Sequence, residues 1–325
     1  MNKTYIIAEI GVNHNGNLKN AKKLISLSKK IGADCVKFQA FNASELASKD
    51  CNLANYQKKT KFKNQLEMLK KYELKENEIF TLYKFAKKKK IEFLLSVFDE
   101  ISFSVDRKIK TKFIKIPSGE ITNFPLLKLC SKSKKNIILS TGASTIKEIS
   151  QALKIIKKKN VILLHCNSAY PTPISDSNIR NILTLKKVFK KKVGLSDHSK
   201  STIIPAIAVG LGADYVEKHI TLNNDMVGPD HSASLNLKNF EKMIKNIRIA
   251  EKSLGSLNRN ITNSEKKNRK IIRKYIVARK IIKKGERFTV NNLASKRSKS
   301  GISSIHWEKF LKKRATKNYN IDEKI

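Results

Sequence analysis

Eight short apolar runs alternate with helix-like stretches along the first 250 residues, and this alternation limits the architecture more than any other feature of the chain. The strand candidates are Tyr5–Ile10, Cys35–Gln39, Glu92–Ser96, Phe113–Ile116, Asn136–Ser140, Val161–His165, Val193–Ser196 and Tyr215–His219. The helix candidates cover 18–31, 76–90, 99–109, 123–133, 145–159, 177–190, 201–211 and 237–253. Eight strand-then-helix units in one run predict a closed parallel (β/α)8 barrel, an α/β TIM barrel. A doubly wound sheet is the alternative, but it usually has fewer strands and a glycine-rich phosphate loop, and neither GxGxxG nor GxxxxGK[ST] occurs. Asn17, Asp99 and Ser144 precede helical runs and read as caps.

A barrel domain over 1–254 leaves a polar stretch, 255–270 (GSLNRNITNSEKKNRK), which reads as a linker. The remainder, 271–325, reads as a small β-rich domain near the lower size limit for independent stability. The four cysteines, Cys35, Cys51, Cys130 and Cys166, form no CxxC pair, which suits a reducing, cytoplasmic setting. The apolar run in MNKTYIIAEIG is too short for a signal peptide, and no run of about 18 apolar residues suggests a membrane span.

The formal charge of +41 comes from 68 basic and 27 acidic residues. Only ten of the 68 are arginine, and the lysines spread along the whole chain, with clusters such as Lys87–Lys90 and Lys190–Lys192 near predicted helix ends. Nucleic-acid recognition favours clustered arginine and aromatic residues instead, so neither a nucleic-acid nor a membrane partner is expected. Such a field would still attract an anionic small substrate.

In a barrel of this kind chemistry sits at the carboxyl ends of the strands. Those ends deliver Glu9; Lys37 and Gln39; Ser96; Lys115, Ser118 and Glu120; Ser140; His165, Asn167 and Tyr170; Ser196, Asp197 and His198; and Glu217, Lys218 and His219, with Asp230 beyond. Each residue alone has a structural reading. Lys37 or Lys115 can be an ion-paired core lysine, but two converging on one mouth suggest a site for phosphate plus carboxylate. His198 and His219, at the ends of adjacent strands, suggest a shared divalent metal completed by water and substrate oxygens. Glu9 and Glu120 read as general acid/base groups, sugar-hydroxyl acceptors or counter-ions to the lysines. His165 and Asp197 read as groups that orient neighbours, and His14 has no assigned role.

The strings AEIGVNHNGN, DCVKFQAF, IKIPSGEITNFPLL, ILSTGAS, LLHCNSAYPTP, VGLSDHS and VEKHITLNNDMVGPDHSAS resemble the sialic acid synthase family. That family includes N-acetylneuraminate synthases and their legionaminate and pseudaminate relatives. The resemblance implies a domain-swapped homodimer that condenses phosphoenolpyruvate with an open-chain N-acylated amino sugar, typically N-acetylmannosamine, using Mn2+ or Mg2+. The acceptor alternative within the family is a 2,4-diacetamido-trideoxyhexose. The resemblance also implies metal ligation by His198 and His219. It gives phosphoenolpyruvate to Lys37, Ser96, Lys115, Ser118, Asn167 and Ser196, and the sugar to Gln39, Glu120, Tyr170 and Asp230. Glu9 would act as an acid/base group. The C-terminal segment resembles the family's antifreeze-like (SAF) domain, whose Arg297 would reach the sugar N-acetyl group in the partner's site. The chain departs from the family in two places: Ser96-Val97 stands where Thr-Pro is frequent, and KRSKSGIS replaces KRPGNGIS around Arg297. Outside the family, a metal-dependent aldolase using pyruvate is the competing enzyme reading, and a noncatalytic barrel is disfavoured by the polar strand ends.

Overall fold

The computed structural model describes residues 3–54, 56–157 and 160–325. Eight parallel strands run in sequence order and close between first and last: β1 Tyr5–Gly11, β2 Cys35–Ala40, β3 Glu92–Val97, β4 Phe113–Ile116, β5 Asn136–Ser140, β6 Val161–Cys166, β7 Val193–Asp197 and β8 Tyr215–Thr221. A two-residue strand, β9 Leu235–Asn236, lies parallel to the end of β8. Most of the apolar core lies between the strands and the surrounding helices, with Ile6, Val36, Leu95, Leu139 and Val216 packing on Leu24, Leu82, Leu127 and Phe240. A second cluster fills the barrel interior with Ile7, Cys35, Leu94, Phe113, Ile138, Ile162 and Leu164, closed below by Tyr5 and Tyr215. This interior is a packed floor, and the open mouth lies above it at the carboxyl ends.

The helices follow local capping chemistry. Asn17 accepts from the amides of Lys19 and Asn20, and Asp99 accepts from Ser102. The expected cap at Ser144 is displaced by one residue. Thr145 and Glu148 form a reciprocal capping box, while Ser144 Oγ donates to Gly142 O, so the helix is Ile146–Ile156. The final two residues of the expected 145–159 helix lie outside the described residues. Between β2 and β3 the chain adds the short helices Ala43–Leu46 and Gln65–Tyr72, where no element was expected. They pack Met68 and Tyr72 against Val12 and Phe41.

The chain divides into two compact units, Met1–Gly255 and Ser256–Ile325. The stretch 255–270, expected to be a linker, contains most of a helix, Asn263–Ile272. Thr262 caps its first turn and Glu265 completes a capping box; these two satisfy free backbone amides that polarity alone does not reveal. The second unit pairs β10 Lys274–Ala278 with β11 Leu293–Arg297 in antiparallel register. Ile276, Ile282, Phe288, Leu293 and Tyr319 form its own small core.

Candidate active site

Strand periodicity explains how the site is assembled. Side chains alternate between the two faces of a strand, so the residue two positions beyond a floor residue points to the same interior. Ile7 is followed by Glu9, Cys35 by Lys37 and Gln39, Leu94 by Ser96, Phe113 by Lys115, Ile138 by Ser140, and Tyr215 by Glu217 and His219. Six of the eight barrel strands are thus apolar at the floor and polar at the mouth. There these side chains line a cavity of about 690 Å3 together with Ser118, Glu120, Tyr170, Ser196, His198 and Asp230.

Four buried charges sit at its base. Lys37 Nζ lies 3.1 Å from Glu217 Oε1, 3.4 Å from Glu9 Oε2 and 3.0 Å from Ser96 Oγ. Lys115 Nζ lies 3.5 Å from the same Glu217 oxygen, which also accepts from Ser196 Oγ at 3.0 Å. Burial pushes Glu9 up to about 7, aided by the charge on Glu217 and opposed by Lys37 and Lys115. Burial acts on Glu217 in the same direction, but the two lysines overcome it and hold the carboxyl down at about 2. Burial lowers Lys115 to about 8, whereas Lys37 is raised because its two carboxylate partners outweigh its desolvation. Glu217 is therefore the shared counter-ion that keeps two lysines charged in a desolvated mouth. Glu9 Oε2 and Glu217 Oε2 have no hydrogen-bond partner among the described residues.

His198 and His219 meet above this cluster with ring centroids 5.5 Å apart. Burial lowers His198 to about 4 and His219 well below its ordinary value, so both are neutral near pH 7. His198 Nδ1 is 2.6 Å from Asn167 O and so carries the proton, leaving Nε2 as a lone-pair nitrogen 3.1 Å from Tyr170 OH. His219 Nδ1 is buried, has no hydrogen-bond partner among the described residues, and lies 3.7 Å from Asp230 Oδ2. Burial raises Asp230 to about 7. Among the described residues no group of three or more His, Cys, Asp or Glu has metal-ligand spacing. Two neutral imidazoles, His198 with its Nε2 beside the Tyr170 hydroxyl and His219 with its Nδ1 unpartnered among the described residues, fit a divalent ion whose other positions go to water or substrate oxygens.

The wall beyond Lys115 is a cradle of small groups. Ser118 Oγ accepts from the Gly142 amide at 2.9 Å and lies 3.1 Å from Cys166 Sγ. A Cβ at residue 142 would fall 2.6 Å from Ser168 Oγ and 2.9 Å from both Cys166 Sγ and Ser118 Oγ, so only glycine leaves this pocket open. Gln39 Nε2 donates to Glu9 Oε1 at 3.2 Å, and Asn123 donates to Glu120 Oε2 at 2.7 Å, while burial raises the Glu120 carboxyl. Tyr170 stacks on His198 with centroids 4.1 Å apart.

Not every expected residue joins the cavity. The Asn167 side chain faces a neighbouring cavity shared with His165 and Asn181, and only its carbonyl reaches the site, through His198. His165 Nε2 hydrogen-bonds Ser177 O at 2.9 Å. Asp197 pairs with Lys218 at 2.6 Å and accepts from the Ser199 amide, so this ion pair ties β7 to β8 outside the cavity lining. Arg297 ends β11 in the second unit, exposed and in register with Lys274. Sequence reasoning passed over Gly142 and Cys166, and it listed Glu217 without giving it a role. The spacing two residues beyond the floor was the available signal for Glu217.

Fold and site together define a (β/α)8-barrel protein whose mouth combines buried cations, neutral imidazoles and a hydroxyl-lined cradle. The chain belongs to the NeuB family, whose model matches residues 24–259. It is 46% identical over 332 residues to the N,N'-diacetyllegionaminic acid synthase of Campylobacter jejuni, covering 100% of this chain and 99% of that one. The synthase of the same name from Legionella pneumophila is 39% identical over 92% of this chain and 86% of its own. Among solved structures, the N-acetylneuraminic acid synthetase of Leptospira borgpetersenii, in complex with citrate, superposes with a TM-score of 0.75 at 33% identity, covering 82% of this chain and 90% of that one.

Proposed function

We propose that this protein is a nonulosonic acid synthase, a transferase that joins phosphoenolpyruvate to the aldehyde carbon of an open-chain N-acylated amino sugar, adds water and releases phosphate. The observation that carries this reading is the pair of buried lysines, Lys37 and Lys115, beneath two neutral imidazoles in a single mouth. A phosphate and a carboxylate on one small substrate match two such cations, and Ser96, Ser118 and Ser196 supply neutral donors around them. Asn167 contributes through its carbonyl, which fixes the tautomer of His198.

Binding by the lysines aims the enol methylene at the acceptor aldehyde, which Gln39, Glu120, Tyr170 and Asp230 position. His198 and His219 would hold a Mn2+ or Mg2+ ion, which supplies Lewis-acid polarisation of the aldehyde oxygen. Water then adds at the former enol carbon, and Glu9 Oε2, raised toward neutrality by burial, takes its proton. Lys37 and Lys115 stabilise the phosphate as the C–O bond breaks. The second unit fits the role of the SAF domain, with Arg297 reaching the acceptor in the other subunit of a swapped homodimer.

The test is phosphate release from phosphoenolpyruvate with a panel of N-acylated amino sugars and divalent metals. Release that requires both a sugar and a metal supports the reading. Condensation of pyruvate without any phosphate requirement would support the aldolase alternative and overturn it.

A further inference from the structure

Two turns meet beside the mouth, and most of their polar side chains have no part in the chemistry above. The first follows β1 and carries Asn13, His14 and Asn15; the second follows β8 and carries Gly228, Asp230 and His231. His14 Nδ1 accepts from the Gly16 amide at 3.0 Å, and Asn15 takes a left-handed φ of 54°. Asn15 Nδ2 donates to Val227 O at 2.9 Å, which leaves Oδ1 as the acceptor for His231 Nε2 at 3.0 Å. His231 Nδ1 lies 2.7 Å from the hydroxyl of Thr221, the last residue of β8. The imidazole is fully buried and bridges the two strand ends. A Cβ at residue 228 would fall 2.6 Å from His231 Cδ2 and 2.9 Å from Asn15 Oδ1, so the chain at Gly228 rests directly on this bridge.

Asp230, the residue before His231, depends on such support. No hydrogen bond holds its carboxylate among the described residues, and His219 Nδ1 at 3.7 Å is too far to make one. Its backbone is held instead. Asp230 O accepts from Ser234 Oγ at 2.7 Å, and Ser234 Oγ accepts from Asn13 Nδ2 at 2.8 Å, so the turn after β1 grips this residue a second time. The function proposed above places Asp230 against the acceptor, and the present inference rests on that reading. We propose that His231, bridged between Asn15 and Thr221, is a positioning residue that fixes the Asp230 carboxylate for the acceptor sugar. His231 does not itself line the cavity. An aspartate displaced by about 1 Å loses its hydrogen bond to the sugar, while Lys37 and Lys115, on β2 and β4, keep their hold on phosphoenolpyruvate.

The experiment measures phosphate release by the full chain with Mn2+, using whichever N-acylated amino sugar the wild-type protein turns over fastest. His231→Leu fills the space without either hydrogen bond. Its kcat/KM for the sugar should fall by about 10- to 100-fold while the phosphoenolpyruvate KM stays within about twofold. His231→Gln, whose amide still donates toward Asn15, should regain most of the loss. Asn15→Gly removes the same bond from a partly exposed position and leaves the left-handed turn unstrained. It should lower the same parameter by about 3- to 10-fold, and it decides the matter if His231→Leu does not fold. In an Asp230→Ala background the positioned group is gone, so His231→Leu should cost less than about twofold more. Sugar and phosphoenolpyruvate parameters that worsen together, equal losses in both backgrounds, or wild-type kinetics in Asn15→Gly would overturn the positioning role and leave the synthase reading intact. Failure of the wild-type protein to release phosphate with any N-acylated amino sugar defeats both.

Discussion

Lys115→Met separates the anion role from the sugar role most cleanly. Methionine keeps much of the volume of a side chain that is only 2% exposed, so the barrel should fold. The charge is lost in two ways. The substrate phosphate or carboxylate loses a cationic partner in a desolvated site. Glu217, which now lies 3.1 Å from Lys37 and 3.5 Å from Lys115, retains only one counter-ion and repels an incoming anion. Loss of one partner from a buried charge pair costs about 2–4 kcal/mol, which corresponds to a rise of about 30- to 700-fold in the phosphoenolpyruvate KM. The assay is initial-rate phosphate release with phosphoenolpyruvate varied at saturating sugar, then the converse, with a thermal melt as the fold control. A change confined to the sugar dependence, or a phosphoenolpyruvate KM within about threefold of wild type, would refute the assignment of Lys115.

Because burial lowers Lys115 to about 8, it is protonated below that pH and discharges above it; kcat/KM for phosphoenolpyruvate should fall as pH rises through about 8, with the apparent value belonging to the Glu9–Lys37–Glu217–Lys115 cluster, and Lys115→Arg should move that limb upward. His219→Ala should abolish turnover and weaken Mn2+ binding measured by calorimetry while the far-ultraviolet circular dichroism is unchanged; full activity after exhaustive chelation would contradict the metal role. Gly142→Ala should cost about 1–3 kcal/mol through overlap with Ser168, Cys166 and Ser118, read as a lower melting temperature together with weaker phosphoenolpyruvate binding. Arg297→Ala and Lys115→Met proteins, each impaired when assayed at low phosphoenolpyruvate and low sugar, should regain part of the activity when mixed under conditions of demonstrated subunit exchange, because one of the two mixed sites carries neither defect; no recovery means that Arg297 does not act across a dimer.

The barrel was readable because eight buried strands must be apolar and their connecting helices amphipathic, and both patterns are written in local sequence. The polar strand ends were readable for the same reason, since Lys37, Lys115 and Glu9 interrupt runs that are otherwise buried. What escaped depends on turns and tertiary contacts. Asn167 lies one residue past the end of β6, where the turn, not strand alternation, decides which cavity it faces. Gly142 carries no side chain to read, and its importance appears only when Ser118, Cys166 and Ser168 converge on it. The β2–β3 insertion that lines one side of the cavity carries helices of four and eight residues, too short to show a helical period. Helix Asn263–Ile272 was legible after all, since Thr262 and Glu265 have capping-box spacing, but its lack of any buried residue removed the apolar pattern that would have drawn attention to it.

Phosphoenolpyruvate labelled with 18O at the oxygen bridging carbon 2 and phosphorus provides the most direct test of the proposed chemistry. Incubated with Mn2+ and an N-acylated amino sugar, the protein should release one phosphate per sugar consumed, and the label should leave in that phosphate, because water adds at carbon 2 and the C–O bond breaks between the two lysines. Label retained in the sugar product, or phosphate released at the same rate without an acceptor, would contradict it.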